Sequence, residues 1–532
     1  MARPRPPCKR RKPPLLEIAR TAVHPCRMAV KDGPERSLAE RKRLGAWYTP
    51  DGLAMRIVRR AASLVDGPIR NILDPSSGAG AFLVAAAAIV PGARLCGVDA
   101  DPLARAACQE RAVGAQVVVG DSLLAEDEGG IAWTREFPEA AAAGGFDLVV
   151  GNPPWEVLEA AAHQGRHSRR AYADALRRSG AQVFATGAKI NLYRVAIVRA
   201  FEHLRPGGVL AFVVPGGLLR DASSEDLRAF LLDAGEWSEV WELETGAALF
   251  PTAHRELSCC VVFVRKGRPT AQLCVRAAGS GTPVLLDRAV LDRLGAPDRS
   301  IPALASEAEL DLMARLWRLP KLADCVGGIR KGDVNLTTDR ELFCDHPTAL
   351  ALRTGKEIGP YRVPGGPRRW VDPERFGKRA HPERVRVAWR DIADRALRKR
   401  MCAAMLPPHS VLADTLNFLV LSGDEAEVAY FVALLNSHVF EWAVRRRSAH
   451  NHLGKRIVGP CPVVPYQARD TRCRQIAALA TQAEQSAAAA IRADAAVAHH
   501  YGLSQADLTL ILEGFPKQPY ALKEAILGAF DG

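Results

Sequence analysis

No apolar segment in the 532 residues approaches the roughly 20 residues needed to cross a bilayer, so no membrane role is expected. The strongly basic start, with Arg3, Arg5, Lys9, Arg10, Arg11 and Lys12, has no hydrophobic core behind it and does not read as a secretory signal. The 12 cysteines form no C-x-x-C pair and no His/Cys spacing for zinc. They read as reduced thiols of a cytoplasmic protein, and no metal is expected. Cys461 follows a proline but lies far from every motif below, which makes it structural. No fixed-period repeat stands out, and no Pro-Asp…Glu-x-Lys arrangement suggests a nuclease.

Positive charge is in excess. Lys and Arg number 72 against 59 Asp and Glu, a net +13, which favours a polyanionic partner. The length suits two or three domains. Residues 1–40 read as a basic, proline-containing tail, with Met28 an alternative beginning. An α/β domain is expected over 41–267, a Gly- and Pro-containing linker with some strand content over 268–305, and a mixed domain over 306–532.

Three strand ends in the α/β region carry acids. The short apolar strand Ile72-Leu73 leads into Asp74-Pro75-Ser76-Ser77-Gly78-Ala79-Gly80, which opens a helical run from Phe82. Strand, glycine turn and helix begin a doubly wound unit, where ligands bind beyond the strands' carboxyl ends. The full dinucleotide fingerprint is missing, because the third glycine is absent and an acid stands first. Asp74 repels a pyrophosphate and suits a cationic ligand such as S-adenosylmethionine. The strand Arg94–Val98 ends in Asp99-Ala100, about 25 residues later, the spacing of a ribose-binding carboxylate. A third strand, Ala115–Gly120, delivers Asp121-Ser122, a place for an adenine-amino acceptor.

The fourth strand, Phe146–Gly151, ends in Asn152-Pro153-Pro154-Trp155. Proline fixes φ and has no N–H, so the turn presents acceptors: the Asn152 side-chain carbonyl and the Pro153 backbone carbonyl. Two acceptors match the two hydrogens of an exocyclic amino group, and Trp155 can lie against the ring that bears it. Accepting both hydrogen bonds pushes electron density onto nitrogen and favours attack.

In their order these motifs resemble the gamma-class, TaqI-like DNA methyltransferases, adenine-N6 enzymes of restriction–modification systems. Gly45-Ala46-Trp47-Tyr48-Thr49-Pro50 is similar to the family's motif ten, which precedes the glycine loop in this class. The resemblance implies that Tyr48, Thr49, Pro50, Asp74, Gly78, Gly80, Asp99, Ala100, Asp121 and Ser122 hold S-adenosylmethionine. It implies that Asn152, Pro153, Pro154 and Trp155 are catalytic, and that Trp155 and Phe184 stack on a flipped base. Trp155 departs from the commoner tyrosine or phenylalanine but keeps a stacking surface. Lys189–Tyr193 and Leu204–Pro215 match the helix start and helix-turn-strand that follow.

The fold so implied is α/β: a Rossmann-like class I S-adenosylmethionine-dependent methyltransferase domain with a mixed α+β carboxyl-terminal target-recognition domain. The function implied is methyl transfer to N6 of adenine in double-stranded DNA, by a monomer whose partner is a separately encoded restriction endonuclease. N4-cytosine methylation uses the same chemistry and stays open. So does a catalytically idle DNA-binding subunit of a defence complex, against which the intact Asp74, Asp99 and Asn152 speak.

Past residue 306 arginines crowd between 362 and 400, interleaved with Trp370, Phe376 and Trp389. That pattern suits a phosphate-tracking and base-reading surface, with Arg384, Arg386 and Arg390 its candidates. Lys455 and Arg456 are added from a loop, and an alanine-rich helix is expected from Ala477 to about Ala498.

Overall fold

A computed structural model describes residues 49–159, 166–180, 189–243, 258–279, 282–377, 383–394, 396–422, 424–448 and 451–532. The first elements are α1 (Asp51–Ala62), β1 (Asn71–Asp74), α2 (Ala81–Ile89), β2 (Arg94–Asp99), α3 (Pro102–Arg111), β3 (Gln116–Val119) and β4 (Phe146–Gly151). All residues of β1 and β4 are buried, as expected for strands covered by helices on both faces. β5 (Val157–Glu159), α4 (Arg166–Arg178), β6 (Lys189–Asn191), α5 (Leu192–His203), β7 (Leu204–Pro215), α6 (Glu225–Asp233), β8 (Gly235–Glu242) and β9 (Cys259–Lys266) follow.

β3, β2, β1, β4 and β7 run side by side and parallel in that order. The apolar run Cys259–Val264 then enters antiparallel between β7 and β8. Residues 268–305, expected as a linker with some strand content, extend this sheet. β10 (Gln272–Arg276) pairs parallel with β8, and β11 (Val284–Asp287) closes the edge as the ninth strand. The alternation Val284-Leu285-Leu286-Asp287, buried at Val284 and Leu286, is what lets so short a segment cover an edge.

α7 (Arg288–Gly295) and α8 (Glu307–Leu316) lead into two small sheets built from β12 (Gly328–Lys331), β13 (Phe343–Cys344), β14 (Leu350–Arg353), β15 (Arg369–Val371), β16 (Arg386–Arg390), β17 (Ala403–Leu406), β18 (Ser410–Leu412) and β19 (Leu416–Val420). One sheet is ordered β12-β19-β16-β17, the other β13-β15-β14-β18. Six longer helices finish the chain, α9 (Glu425–Asn436), α10 (His438–Arg447), α11 (Thr471–Ala483), α12 (Ala487–His500), α13 (Gln505–Glu513) and α14 (Tyr520–Asp531), and a single helical turn, Lys455–Val458, stands between α10 and α11 where a loop was expected. The alanine-rich stretch is two helices rather than one, because the Ser486 hydroxyl caps α12 by accepting from Ala489 N at 3.2 Å.

The largest apolar core runs through both halves, joining Leu219 and Leu231 to Ile301, Leu312, Phe440 and Trp442. Three arginines fasten the seam, Arg228 and Arg447 buried and Arg446 half-buried. Arg228 donates to the carbonyls of Asp298, Leu218 and Asp221, Arg447 to Asp298 and the Leu294 carbonyl, and Arg446 to Glu309. Burial pulls the Arg228 guanidinium down to about 10. No helix among the described residues is long and apolar enough to cross a membrane.

Candidate active site

The sheet order β4-β1-β2-β3 sets Asn152, Asp74, Asp99 and Asp121 in a row along one edge, each at or just past the carboxyl end of its strand. Three strand spacings separate the outer two, roughly 14 Å. That length accommodates an extended nucleoside-type ligand lying across the edge.

The glycine turn is shaped from below and from the side. Ser77 N donates to Val98 O at 2.9 Å, and Gly80 N to Ser77 O at 2.8 Å. Gly80 takes φ +82°, and a Cβ there would meet Cys108 Sγ at 2.8 Å. Asp99, half-buried, accepts from Gly78 N at 2.8 Å and from Asp101 N at 2.9 Å, which ties β2 to the turn. Arg111 clamps the other side: one nitrogen donates to Ala79 O at 2.9 Å, the other to Asp51 at 2.8 Å. Nothing in the local sequence pattern marked Arg111, because its two partners lie 32 and 60 residues away.

Asp74 is 1% exposed. Its Oδ1 accepts from Ser76 N at 3.1 Å, and its buried Oδ2 has no hydrogen-bond partner. Burial, with the Asp99 charge adding to it, pushes the carboxyl up to about 8. An acid held in that condition fits a cationic group brought by a ligand. Thr49, 6% exposed, likewise has a buried Oγ1 with no partner. Pro50 starts α1, while Tyr48 lies outside the described residues.

At the third strand end, Ser122 Oγ donates to Pro75 O at 2.7 Å, joining β3 to the start of the glycine turn. Asp121 accepts from Leu123 N at 2.8 Å and from the Tyr172 hydroxyl at 2.8 Å. Tyr172, on α4, is a second contributor that sequence patterning did not single out. Ala100 is exposed at the mouth of the row.

Asn152, Pro154 and Trp155 are half-buried, and Pro153 is buried. Trp155 Nε1 donates to Val213 O at 3.4 Å, and its ring is packed beside both apolar cores of the sheet. The chain leaving this turn is closed down by β5–β6 pairing, Val157 opposite Asn191, and by Leu192 N donating to Glu156 O at 3.0 Å. Phe184 lies outside the described residues.

The arginine-rich region sorts differently from its sequence pattern. Arg384, Lys455 and Arg456 are exposed. Arg386 is not a surface group: it is 8% exposed, pairs with Asp333 at 3.0 Å, donates to Ser410 O and lies 4.9 Å over the Phe418 ring. In place of the phosphate contact expected of it, Arg386 makes a structural pairing that holds the Asp333 loop and the start of β18 against β16. Arg390 is half-buried with its Nε inward. Trp389 and Phe376 are core residues, 0% and 1% exposed, and Trp389 Nε1 donates to Leu453 O at 2.8 Å.

Residues 99–250 match the model of the Eco57I restriction-modification methylase family. Over 230 residues, 43% of this chain, the sequence is 32% identical to the type II methyltransferase M.TthHB8I of Thermus thermophilus. That match spans 46% of the relative's length, so the chain covers about half of it. Among solved structures, the type IIL restriction-modification enzyme MmeI in complex with DNA aligns over 93% of this chain and 75% of its own, with TM-score 0.48 and 11% identity. The type IIG restriction endonuclease BpuSI aligns over 93% and 66%, with TM-score 0.41 and 14% identity. Residues 99–250, which include the strand ends at Asp99, Asp121 and Asn152, are thus similar to a restriction-modification methylase.

Proposed function

We propose that this protein is a site-specific DNA methyltransferase that methylates N6 of a flipped adenine within a restriction–modification or related defence system. The observation that carries the reading is the Asn152-Pro153-Pro154-Trp155 turn at the end of β4, the strand next to β1 with its buried Asp74. Likeness over residues 99–250 to restriction-modification methylases supports it.

Bound S-adenosylmethionine supplies a methyl group made electrophilic by its sulfonium. The residues of the chain position what that methyl meets. Asp74 and Thr49 would hold the amino-acid end, Asp99 the ribose, and Asp121 with Ser122 the adenine side. Asn152 Oδ1 and the Pro153 carbonyl accept hydrogen bonds from the target amino group, and Trp155 stacks against its ring. Asn152 and Pro153 would orient the amino nitrogen towards that methyl group, and water would take the amino proton released on transfer. Such catalysis is positioning and hydrogen-bond electrostatics. Arg384, Lys455 and Arg456 would contact phosphates of double-stranded DNA.

Tritiated S-adenosylmethionine, duplex genomic DNA and the full chain provide the test, with nucleoside analysis of the product. Label is expected in N6-methyladenine. Label in N4-methylcytosine would overturn the base assignment, and no transfer to DNA would overturn the enzyme.

A further inference from the structure

Outside the sheet edge, and among the described residues, one set of metal-capable side chains of three different kinds converges: Asp470, Cys473 and His500. Asp470 precedes α11 and caps it through Oδ1, which accepts from Arg472 N at 2.8 Å. Cys473 lies in the first turn of α11, and His500 is the last residue of α12. The two helices form an antiparallel hairpin, so the start of one meets the end of the other. Twenty-seven residues separate the thiol from the imidazole in sequence, a distance at which no short metal motif would be noticed.

The geometry is that of a coordination pair. Cys473 Sγ lies 3.6 Å from His500 Nε2, and donor atoms of all three residues lie within 4.8 Å of one another. A tetrahedral zinc with sulfur at ~2.3 Å and nitrogen at ~2.0 Å sets those two atoms about 3.5 Å apart. Asp470 needs only a side-chain rotation to close the third position, because its cap uses one oxygen and leaves the other. Cys473 is 0% exposed, which denies a substrate carbonyl the approach that a nucleophilic cysteine requires. Asp470 and His500 are half-buried, leaving room for a water at a fourth position.

We propose that Asp470, Cys473 and His500 form a zinc site, completed by water, that fastens the open end of the α11–α12 hairpin. The fastening has neighbours ready to transmit it. The Tyr430 ring of α9 meets His500 edge-on at 6.0 Å, and its hydroxyl donates to Val464 O at 2.7 Å. Tyr501, next to His500, donates to Pro462 O at 2.9 Å. Zinc would therefore tie α11, α12, α9 and the 462–470 strap at one point. The site is independent of the methyl-transfer reading.

The test uses the full chain carrying no polyhistidine tag. After chelator stripping and dialysis, one equivalent of cobalt(II) should give tetrahedral d–d bands together with a thiolate-to-cobalt charge-transfer band. Competition against a chromophoric chelator should give one zinc per chain. Affinity should fall at least about a hundredfold in Cys473→Ser and in His500→Asn, more than loss of an outer-shell partner causes. The charge-transfer band should vanish in Cys473→Ser, and Cys344→Ser should behave as wild type. If neither variant folds, the zinc-edge absorption spectrum of wild type decides: one sulfur in the coordination shell supports the site. A sulfur-free shell, unchanged affinity in both variants, or no binding at micromolar zinc overturns it.

Discussion

Two carboxylates are buried in the same sheet and titrate in opposite directions. Glu239, in β8, is 0% exposed, yet its carboxyl sits below the usual range. Burial opposes ionisation, but Arg276, Arg60 at 2.5 Å and Trp241 Nε1 at 2.7 Å outweigh it. Asp74, at the ligand edge, is as deeply buried and is pushed up to about 8, and among the described residues no cation approaches it. Burying a charge without a partner costs several kcal/mol, so an acid is kept in such a place for something that arrives from outside. The carboxylate within β8 is neutralised internally. Asp74 has no such neutralising partner among the described residues.

The largest expected effect separates chemistry from that charge balance. Asn152→Ala leaves Asp74 and Asp99 in place, so cofactor binding should stay within a few-fold of wild type. Methyl transfer should fall by at least roughly a hundredfold, the scale of losing one preorganised hydrogen-bond group. Single-turnover transfer and calorimetric binding on the same variant check the split, and near-normal turnover would remove Asn152 from the mechanism.

Breaking the neutralised cluster at Glu239 should cost stability and leave cofactor binding unchanged. Glu239→Gln should destabilise the fold by about 2 kcal/mol, below the usual range for a broken buried pair, since Arg60 and Arg276 reach solvent and can be hydrated. Denaturant unfolding measures it, and weaker cofactor binding in this variant would mean that the two carboxylates are coupled.

At the ligand edge the dependence on pH is the signature. Below about 8 Asp74 carries its proton, and a cationic ligand must displace it. Cofactor affinity should therefore rise up to about tenfold per pH unit from 6 towards 8 and level off above. Asp74→Asn should flatten that profile. The stability sign runs the other way: a carboxyl raised on folding destabilises as pH climbs from its unfolded value to about 8, so the variant should gain stability at alkaline pH. A wild-type affinity flat across this window would clear Asp74 of contact with the cation.

The smallest effect concerns the other half. If Arg384, Lys455 and Arg456 contact phosphates as proposed, Arg384→Ala should lower the slope of log duplex affinity against log salt by about one unit, because one phosphate would keep its counterion. Arg386→Ala should instead lower the melting temperature, because its partner Asp333 would be left buried.

The row of strand ends is legible in sequence because each member is announced locally, an apolar run followed at once by its acid or asparagine. Arg386 and Trp389 defeat a local reading for the opposite reason. Whether an arginine faces phosphate or pairs with Asp333, 53 residues away, depends on pairing between strands that local composition does not encode. Residues 268–305 carry their strand signal, but joining the main sheet required the β8–β10 register. Arg111 and Tyr172 act on the site from 32 and 51 residues away and carry no pattern of their own.

The shared core has a consequence for how such a chain can change parts. A cut at 267 would strand β10 and β11 and bare Ile301, Leu304 and Leu312, so the amino-terminal half is not a separable module. A different segment has ends that meet. Gly328 of β12 is paired with Val420 of β19, and between them lie both small sheets with two apolar clusters of their own. Residues 328–420 are thus entered and left through adjacent strands, while Val387, Trp389 and Leu419 anchor the segment in the shared core. Exchange of this segment alone would leave the sheet edge and its row of acids in place.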